Sequence, residues 1–199
     1  MIMERTLYER NVQDRSTLHY LIGLVVRWKQ HFKYVRAIRI ARKRGATIGE
    51  GVIMPMALAK SANKNLTIGN HVSIQTAKID LRSPVKIGSH VIIGGGTNII
   101  TTSHNIDSPD WEHKNYGIEI EDYVWLPTDV LVLPSCRKIG YGAVVGSGSV
   151  VVKNVEPMSV VSGNPAKEFK KRKCVHKDLV VESLLGGDYE IYKKTRRRK

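Results

Sequence analysis

Cysteine is scarce. The 199 residues hold two, Cys136 and Cys174, with neither the spacing of a metal site nor the count of a disulfide framework, so both read as reduced thiols without a chemical role. Long apolar runs are missing as well. The longest near the N-terminus, Leu18 to Val26, is broken by His19 and Gly23; it falls short of the roughly 20 apolar residues of a bilayer span and does not read as a cleaved leader, so a cytoplasmic protein is expected. At 42% hydrophobic and 25% charged residues the composition excludes collagen-like and disordered chains. The length suits one domain with flanks.

Negative charge is also in short supply: 18 acidic against 32 basic residues leave a net charge of +14. The excess sits at the ends. Residues 1–44 carry +8, residues 45–165 carry −1 and residues 166–199 carry +7, which divides the chain into a basic N-terminal segment, a neutral body and a basic C-terminal segment. The tail KKTRRRK lacks the aromatic residues that base stacking uses, so nucleic acid is not an expected partner. In the first segment Leu18, Leu21, Ile22, Val25, Trp28, Phe32 and Val35 recur at helical spacing among Arg27, Lys29, Lys33, Arg36 and Arg39, which predicts an amphipathic basic helix. Its apolar stripe is expected either to pack on the body or to lie on an anionic membrane surface.

What the body has is a repeat of six. Aliphatic residues return at Ile48 and Met54, then Ile68 and Ile74, then Ile87, Ile93 and Ile99, then Ile120, Leu126 and Val132, and finally Ile139, Val145 and Val151; Lys60 and Asp80 fill two weak slots. A period of six fits neither an amphipathic helix at 3.6 nor hairpins turning every 8–12 residues. It fits short strands that turn at regular corners, each group of three making one coil of a triangular prism with its aliphatic residues inside. Steps between groups are 8, 7, 21 and 7 residues, so insertions fall at one edge, and the largest throws Ser103–Gly117 out as a loop. Functional groups concentrate on such loops. Pro157 and Pro165 are expected to end the coils, Ala166 to Ser183 to form a helix, and the final residues to be disordered.

IGNHVSI, IGSHVIIGGG, IEIEDYVWLP, IGYGAVVGSGSVVVKNV and SGNPAKEFKKR together resemble the hexapeptide-repeat acyltransferases, and TTSH before the inserted loop, VW after it and GNPAK near the end are similar to the sugar O-acetyltransferases among them. The resemblance covers about residues 45–172 and implies an all-β solenoid, a left-handed parallel β-helix of about five coils, flanked by the N-terminal helix and a helical, basic C-terminal tail. It implies acetyl-CoA as co-substrate, no metal, and a homotrimer.

The resemblance assigns His104, at the start of the loop, as general base. A sugar hydroxyl is a poor nucleophile until its proton is taken during attack, and imidazole accepts protons near neutral pH. His113 in the same loop is the rival and a candidate substrate contact, and Asp107, Asp110 or Glu112 is expected to orient His104. Alignment with the family's VWIG segment puts the oxyanion-binding N–H on Thr128, although Pro127 stands where glycine is usual. Trp125 is expected to wall the acyl or pantetheine group, or else to pack at a subunit contact. Ser147 and Ser149, in a small-residue corner, and Lys153, Lys167 and Lys170 are the candidate coenzyme A contacts, the lysines as phosphate partners; each lysine reads equally as a solvated charge, and the family more often has arginine at the last two. Asp80 is the candidate acceptor contact or a corner cap. His71 and His90 should stack on one outer face, but two histidines fall short of the three protein ligands of a catalytic zinc. The expected reaction is direct acetyl transfer from acetyl-CoA to a sugar hydroxyl, as in surface glycan synthesis. N-acetylation of a nucleotide-linked amino sugar and a non-catalytic scaffold are the alternatives.

Overall fold

The computed structural model describes residues 6–197. From Thr47 onward the chain winds as a parallel β-helix with three faces. The first face stacks Thr47–Ile48, Leu66–Ile68, Val85–Ile87, Ile118–Ile120 and Lys138–Ile139. The second stacks Ser73–Ile74, Ile92–Ile93, Trp125–Leu126, Val144–Val145 and Ser159–Gly163, and the third Asn98–Ile99, Leu131–Val132 and Val150–Val151. All these strands run parallel to their neighbours in register.

The hexapeptide period is the physical cause of this winding. Ile48, Ile68, Ile87, Ile120 and Ile139 line up along the inside of the first face, and Ile74, Ile93 and Leu126 along the second. All are buried, and each such side chain contributes roughly 1.5–3 kcal/mol relative to leaving it in water. Short polar side chains close the corner after the first face by accepting main-chain N–H groups from the coil before: Glu50 N–H donates to Asn70 Oδ1 (2.9 Å), Asn70 N–H to Ser89 Oγ (3.0 Å) and Ser89 N–H to Asp122 Oδ1 (2.7 Å). At the same corner His71, His90 and Tyr123 take left-handed φ of 56°, 58° and 60°, and their rings stack outside it with centroids 5.1 and 4.7 Å apart.

Several expectations need correction. The Lys60 slot is not a strand: Met56–Ser61 is a short helix that closes the first coil with Leu58 and Ala59 buried and Lys60 exposed. In the Asp80 slot the inward residue is Ile79, bridged to Ile99. The winding continues past Val151 through Val155, bridged to Ile139, and the strand Ser159–Gly163. Ala166–Lys171 is not helical but an antiparallel strand on Ser159–Gly163. A 3-10 turn at Val181–Leu185 follows, and then a helix, Tyr189–Arg197, where disorder was expected; Arg198 and Lys199 lie outside the described residues.

The expected N-terminal helix is present as α2 (Thr17–Lys43), preceded by α1 (Leu7–Gln13) with its capping box at Thr6 and Glu9. Ala37 and Ala41 of α2 are buried at the prism's first coil. Earlier in α2, Arg27 Nε donates to buried Asp188 (2.9 Å), Tyr8 Oη donates to the other Asp188 oxygen (2.6 Å), and Tyr20 stacks on Tyr192 of the C-terminal helix at 5.0 Å. Most of the apolar stripe is not consumed by the body, because α2 turns Gly23, Arg27, Ala37 and Ala41 inward; Val35 is the member that lines a cavity beside Val52 and Ile53. Leu18, Leu21, Ile22, Val25 and Phe32 stay between 50% and 67% exposed.

Candidate active site

The segment between the third and first faces leaves the prism as an antiparallel hairpin rather than an irregular loop. Thr102–His104 pairs with His113–Asn115, with His104 directly opposite His113. The hairpin's base is tied to the coil below. Asp80 accepts from Thr102 Oγ1 (2.9 Å) and Thr101 N–H (3.3 Å), and its carboxylate also accepts a two-pronged pair from the Arg82 guanidinium (2.9 and 3.0 Å) and the Arg82 N–H (3.1 Å). Ser83 Oγ donates to Asn115 Oδ1 (3.2 Å), and Arg137 lies over the Tyr116 ring at 4.5 Å.

At the hairpin's end His104 Nδ1 lies 2.6 Å from the main-chain oxygen of Trp111. A carbonyl oxygen only accepts, so Nδ1 carries the proton and the neutral ring leaves its lone pair on Nε2. That is the tautomer a base needs. The orienting group is therefore the Trp111 carbonyl and none of Asp107, Asp110 or Glu112; Asp110 is engaged with Ser108. No sequence signal could have found it, since any residue at 111 supplies the same atom. His113 is closer than its sequence context implied, its ring centroid 4.2 Å from that of His104, but no hydrogen bond fixes it among the described residues.

Asp80 braces the hairpin's base. Burial raises its pKa, but hydrogen bonds from Arg82, Thr102 and Thr101 outweigh burial and hold the carboxyl well below the usual carboxylate range. A depressed folded-state pKa contributes stability that is complete above the ordinary value, near 4 on the order of model peptides, and is lost as pH falls through it toward the folded value. Asp80→Asn is accordingly expected to be less stable than the parent at neutral pH, with the deficit shrinking on acidification below about pH 4. Urea unfolding at stepped pH measures this, and a deficit independent of pH contradicts the account.

Of the remaining candidates, Lys153 follows the third-face strand Val150–Val151 and stands at the same edge as His104, two coils further along, whereas Thr128 and Ser147 stand at another edge. Thr128 sits at the edge between the second and third faces, where its carbonyl accepts from Gly148 N–H (3.1 Å), stacking it on the corner that holds exposed Ser147. Its own N–H donates to no acceptor among the described residues. Gly94 lies beneath: a Cβ there would come within 2.8 Å of Thr128 N, so only glycine lets the two coils approach at this point. Ser149 is buried, and its hydroxyl accepts Gly163 N–H at 3.0 Å, so it acts on the corner's geometry. Lys153 and Lys167 line a cavity of about 290 Å³ together with Glu156, Glu168, Val161 and Ala166. Lys170 is exposed on the added antiparallel strand, opposite Val160. Trp125 is 48% exposed on the second face and lines a small hollow with His90, Tyr123, Arg172 and His176.

Of the two free cysteines, Cys136 is buried and Cys174 exposed. Burial pushes the Cys136 thiol up to about 11, which keeps it protonated, and among the described residues no group of three or more His, Cys, Asp or Glu is placed to hold a metal ion.

No protein-family model matches the chain. It is 31% identical over 141 residues to a galactoside O-acetyltransferase of Lactococcus lactis, covering 67% of each chain. It is 30% identical over 146 residues, 73% of this chain and 80% of the other, to an Escherichia coli protein named for acetyl transfer in colanic acid biosynthesis. Two further curated acetyltransferases are matched over 43% and 50% of their own length, so the chain spans about half of those. Among solved structures, a hexapeptide-repeat acetyltransferase of Vibrio cholerae superposes with a TM-score of 0.63 at 25% identity, over 85% of this chain and 95% of that one. The same protein bound to acetyl-CoA gives 0.61.

Proposed function

From a chain that belongs to the hexapeptide-repeat acetyltransferase family, we propose an enzyme that transfers the acetyl group of acetyl-CoA to a sugar hydroxyl, with His104 as general base. The observation that carries this reading is the 2.6 Å contact from His104 Nδ1 to the Trp111 carbonyl, which leaves Nε2 free at the tip of a braced hairpin.

In this reaction Nε2 takes the hydroxyl proton as the acceptor oxygen attacks the thioester carbonyl. The tetrahedral oxyanion accepts the unused Thr128 N–H. As it collapses, the C–S bond breaks and the imidazolium returns the proton to the departing sulfur, giving an acetyl ester and the free thiol. No acyl-enzyme is needed.

His104 and Thr128 stand on different edges of one prism, His104 between the third and first faces and Thr128 between the second and third. Both reach one acyl group if neighbouring chains share the site, so the active form is a homotrimer in which His104 of one chain faces Thr128, Ser147 and the Lys153–Lys167 strip of the next. The sugar acceptor is supported by the galactoside and colanic acid relatives. The test is a free-thiol assay over sugar acceptors and their amino counterparts, with thermal shift by coenzyme A. Thiol release with amino sugars alone would assign N-acylation, and no response to coenzyme A would leave a scaffold. For the shared site, His104→Ala and Lys153→Glu chains, each nearly inactive alone, are expected to recover activity when mixed and reassembled. Absence of recovery, or a fully active monomer, contradicts it.

A further inference from the structure

The outward face of α2 has no partner in the chain, and its chemistry changes along its length. Over its first four turns it presents Leu18, Leu21, Ile22, Val25, Trp28 and Phe32, each between 49% and 67% exposed, at the i, i+3 and i+4 spacings of one helical side. From Lys29 the same side continues as Lys33, Arg36 and Arg39. The 27 residues of α2 contain seven Lys and Arg and no Asp or Glu.

The face is held outward. Arg27 is fixed to Asp188 at 2.9 Å and lies 4.1 Å from the Tyr192 ring centre. Tyr34 Oη donates to the Leu185 carbonyl at 3.2 Å, and Ala37 and Ala41 are sealed in the core. Rotating α2 to hide its stripe would break this clamp.

Two occupants suit an apolar face of this size: a second copy of the chain, or lipid. Charge decides between them. Two copies of α2 meeting through this face would bring eight cations together, Lys29, Lys33, Arg36 and Arg39 from each, without one acidic side chain from either helix, and the body that could meet it otherwise has a net charge of only −1. An anionic bilayer supplies both needs, acyl chains for the stripe and headgroup charge for the cations. No described helix is long and apolar enough to cross a membrane, so α2 would lie in the surface plane.

We propose that α2 docks the protein on an anionic lipid surface, with Leu18, Ile22, Val25 and Phe32 entering the headgroup boundary and Lys29, Lys33, Arg36 and Arg39 facing the headgroups. This role is independent of the acetyl-transfer reading.

The full chain is sedimented with phosphatidylcholine vesicles, with and without phosphatidylserine, and its mass is measured by light scattering. The wild type is expected to partition onto the serine-containing vesicles, less so as salt rises. Lys33→Gln with Arg36→Gln and Arg39→Gln should weaken partition about 100-fold, at about fivefold per basic residue. Ile22→Glu with Val25→Glu should weaken it more than about tenfold at unchanged mass. Because these side chains are exposed, both variants should keep the parental melting temperature and circular dichroism. The proposal is overturned if the wild type does not bind, if it binds both vesicles equally, or if neither variant weakens binding. A glutamate variant of lower mass with undiminished vesicle binding would assign the face to a second copy.

Discussion

His104→Ala is expected to lose at least about two orders of magnitude in turnover, the usual contribution of a general base, with circular dichroism and assembly unchanged. The side chain is exposed at the end of the hairpin strand and its contacts, with His113 and Trp111, stay within the hairpin, so the loss would be chemical. His104→Asn sharpens the test: its amide can still donate to the Trp111 carbonyl, but it has no basic nitrogen. It is expected to be as inactive as the alanine variant. His113→Ala, which removes the neighbouring ring but no fixed hydrogen bond, should alter turnover by less than about tenfold and act mainly on KM for the acceptor. Equal losses at 104 and 113, or a half-active asparagine variant, would move the base elsewhere.

The largest expected effect on stability lies at the other end of the molecule. Asp188 has a fully buried side chain that accepts from Arg27 and from Tyr8, and burial together with this bond raises the Tyr8 phenol above its ordinary value. Asp188→Ala leaves Arg27, itself only 16% exposed, without its counter-charge. Removing one partner of such a pair costs about 3–5 kcal/mol. Asp188→Asn, which keeps an acceptor, should cost less. The effect is local to the clamp, so hydrogen exchange should show α1 and the first half of α2 opening while the coils stay protected. A deficit under about 1 kcal/mol, or uniform opening of the prism, would mean that the clamp does not hold the helices.

The coils were legible because an interior with three fixed walls admits little but aliphatic residues, and these recur wherever the register demands them. Reading failed where the wall is made differently. Leu58 and Ala59 fill theirs from a helix, and Ile79 reaches its slot one position early because the turn after Ile74 is shorter. AKEFKK has no alternation of its own; its strand exists only because Ser159–Gly163 is available to pair with it, a tertiary cause that local spacing does not carry. The same distinction runs through the site. His104 could be proposed as base from its place at the start of the extruded segment, whereas the partner of its Nδ1 is a main-chain oxygen, and the bracing contacts of Asp80 are visible only with Thr101, Thr102 and Arg82 placed around it.

A stack of parallel coils is in principle endless, since its last coil offers the next chain the same row of N–H and C=O groups that its predecessor offered it. Here the antiparallel strand Ala166–Lys171 takes up that row on the second face. It presents Lys167, Glu168, Lys170 and Lys171, and its reversed polarity cannot continue the parallel ladder. At the opposite end the Ala37–Ala41 stretch of α2 is buried against the first coil, whose third wall is Met56–Ser61. The row on the second face is thus closed against fibre growth, and deletion of residues 166–171 is expected to open it to a further chain, read as a rise in mass by light scattering.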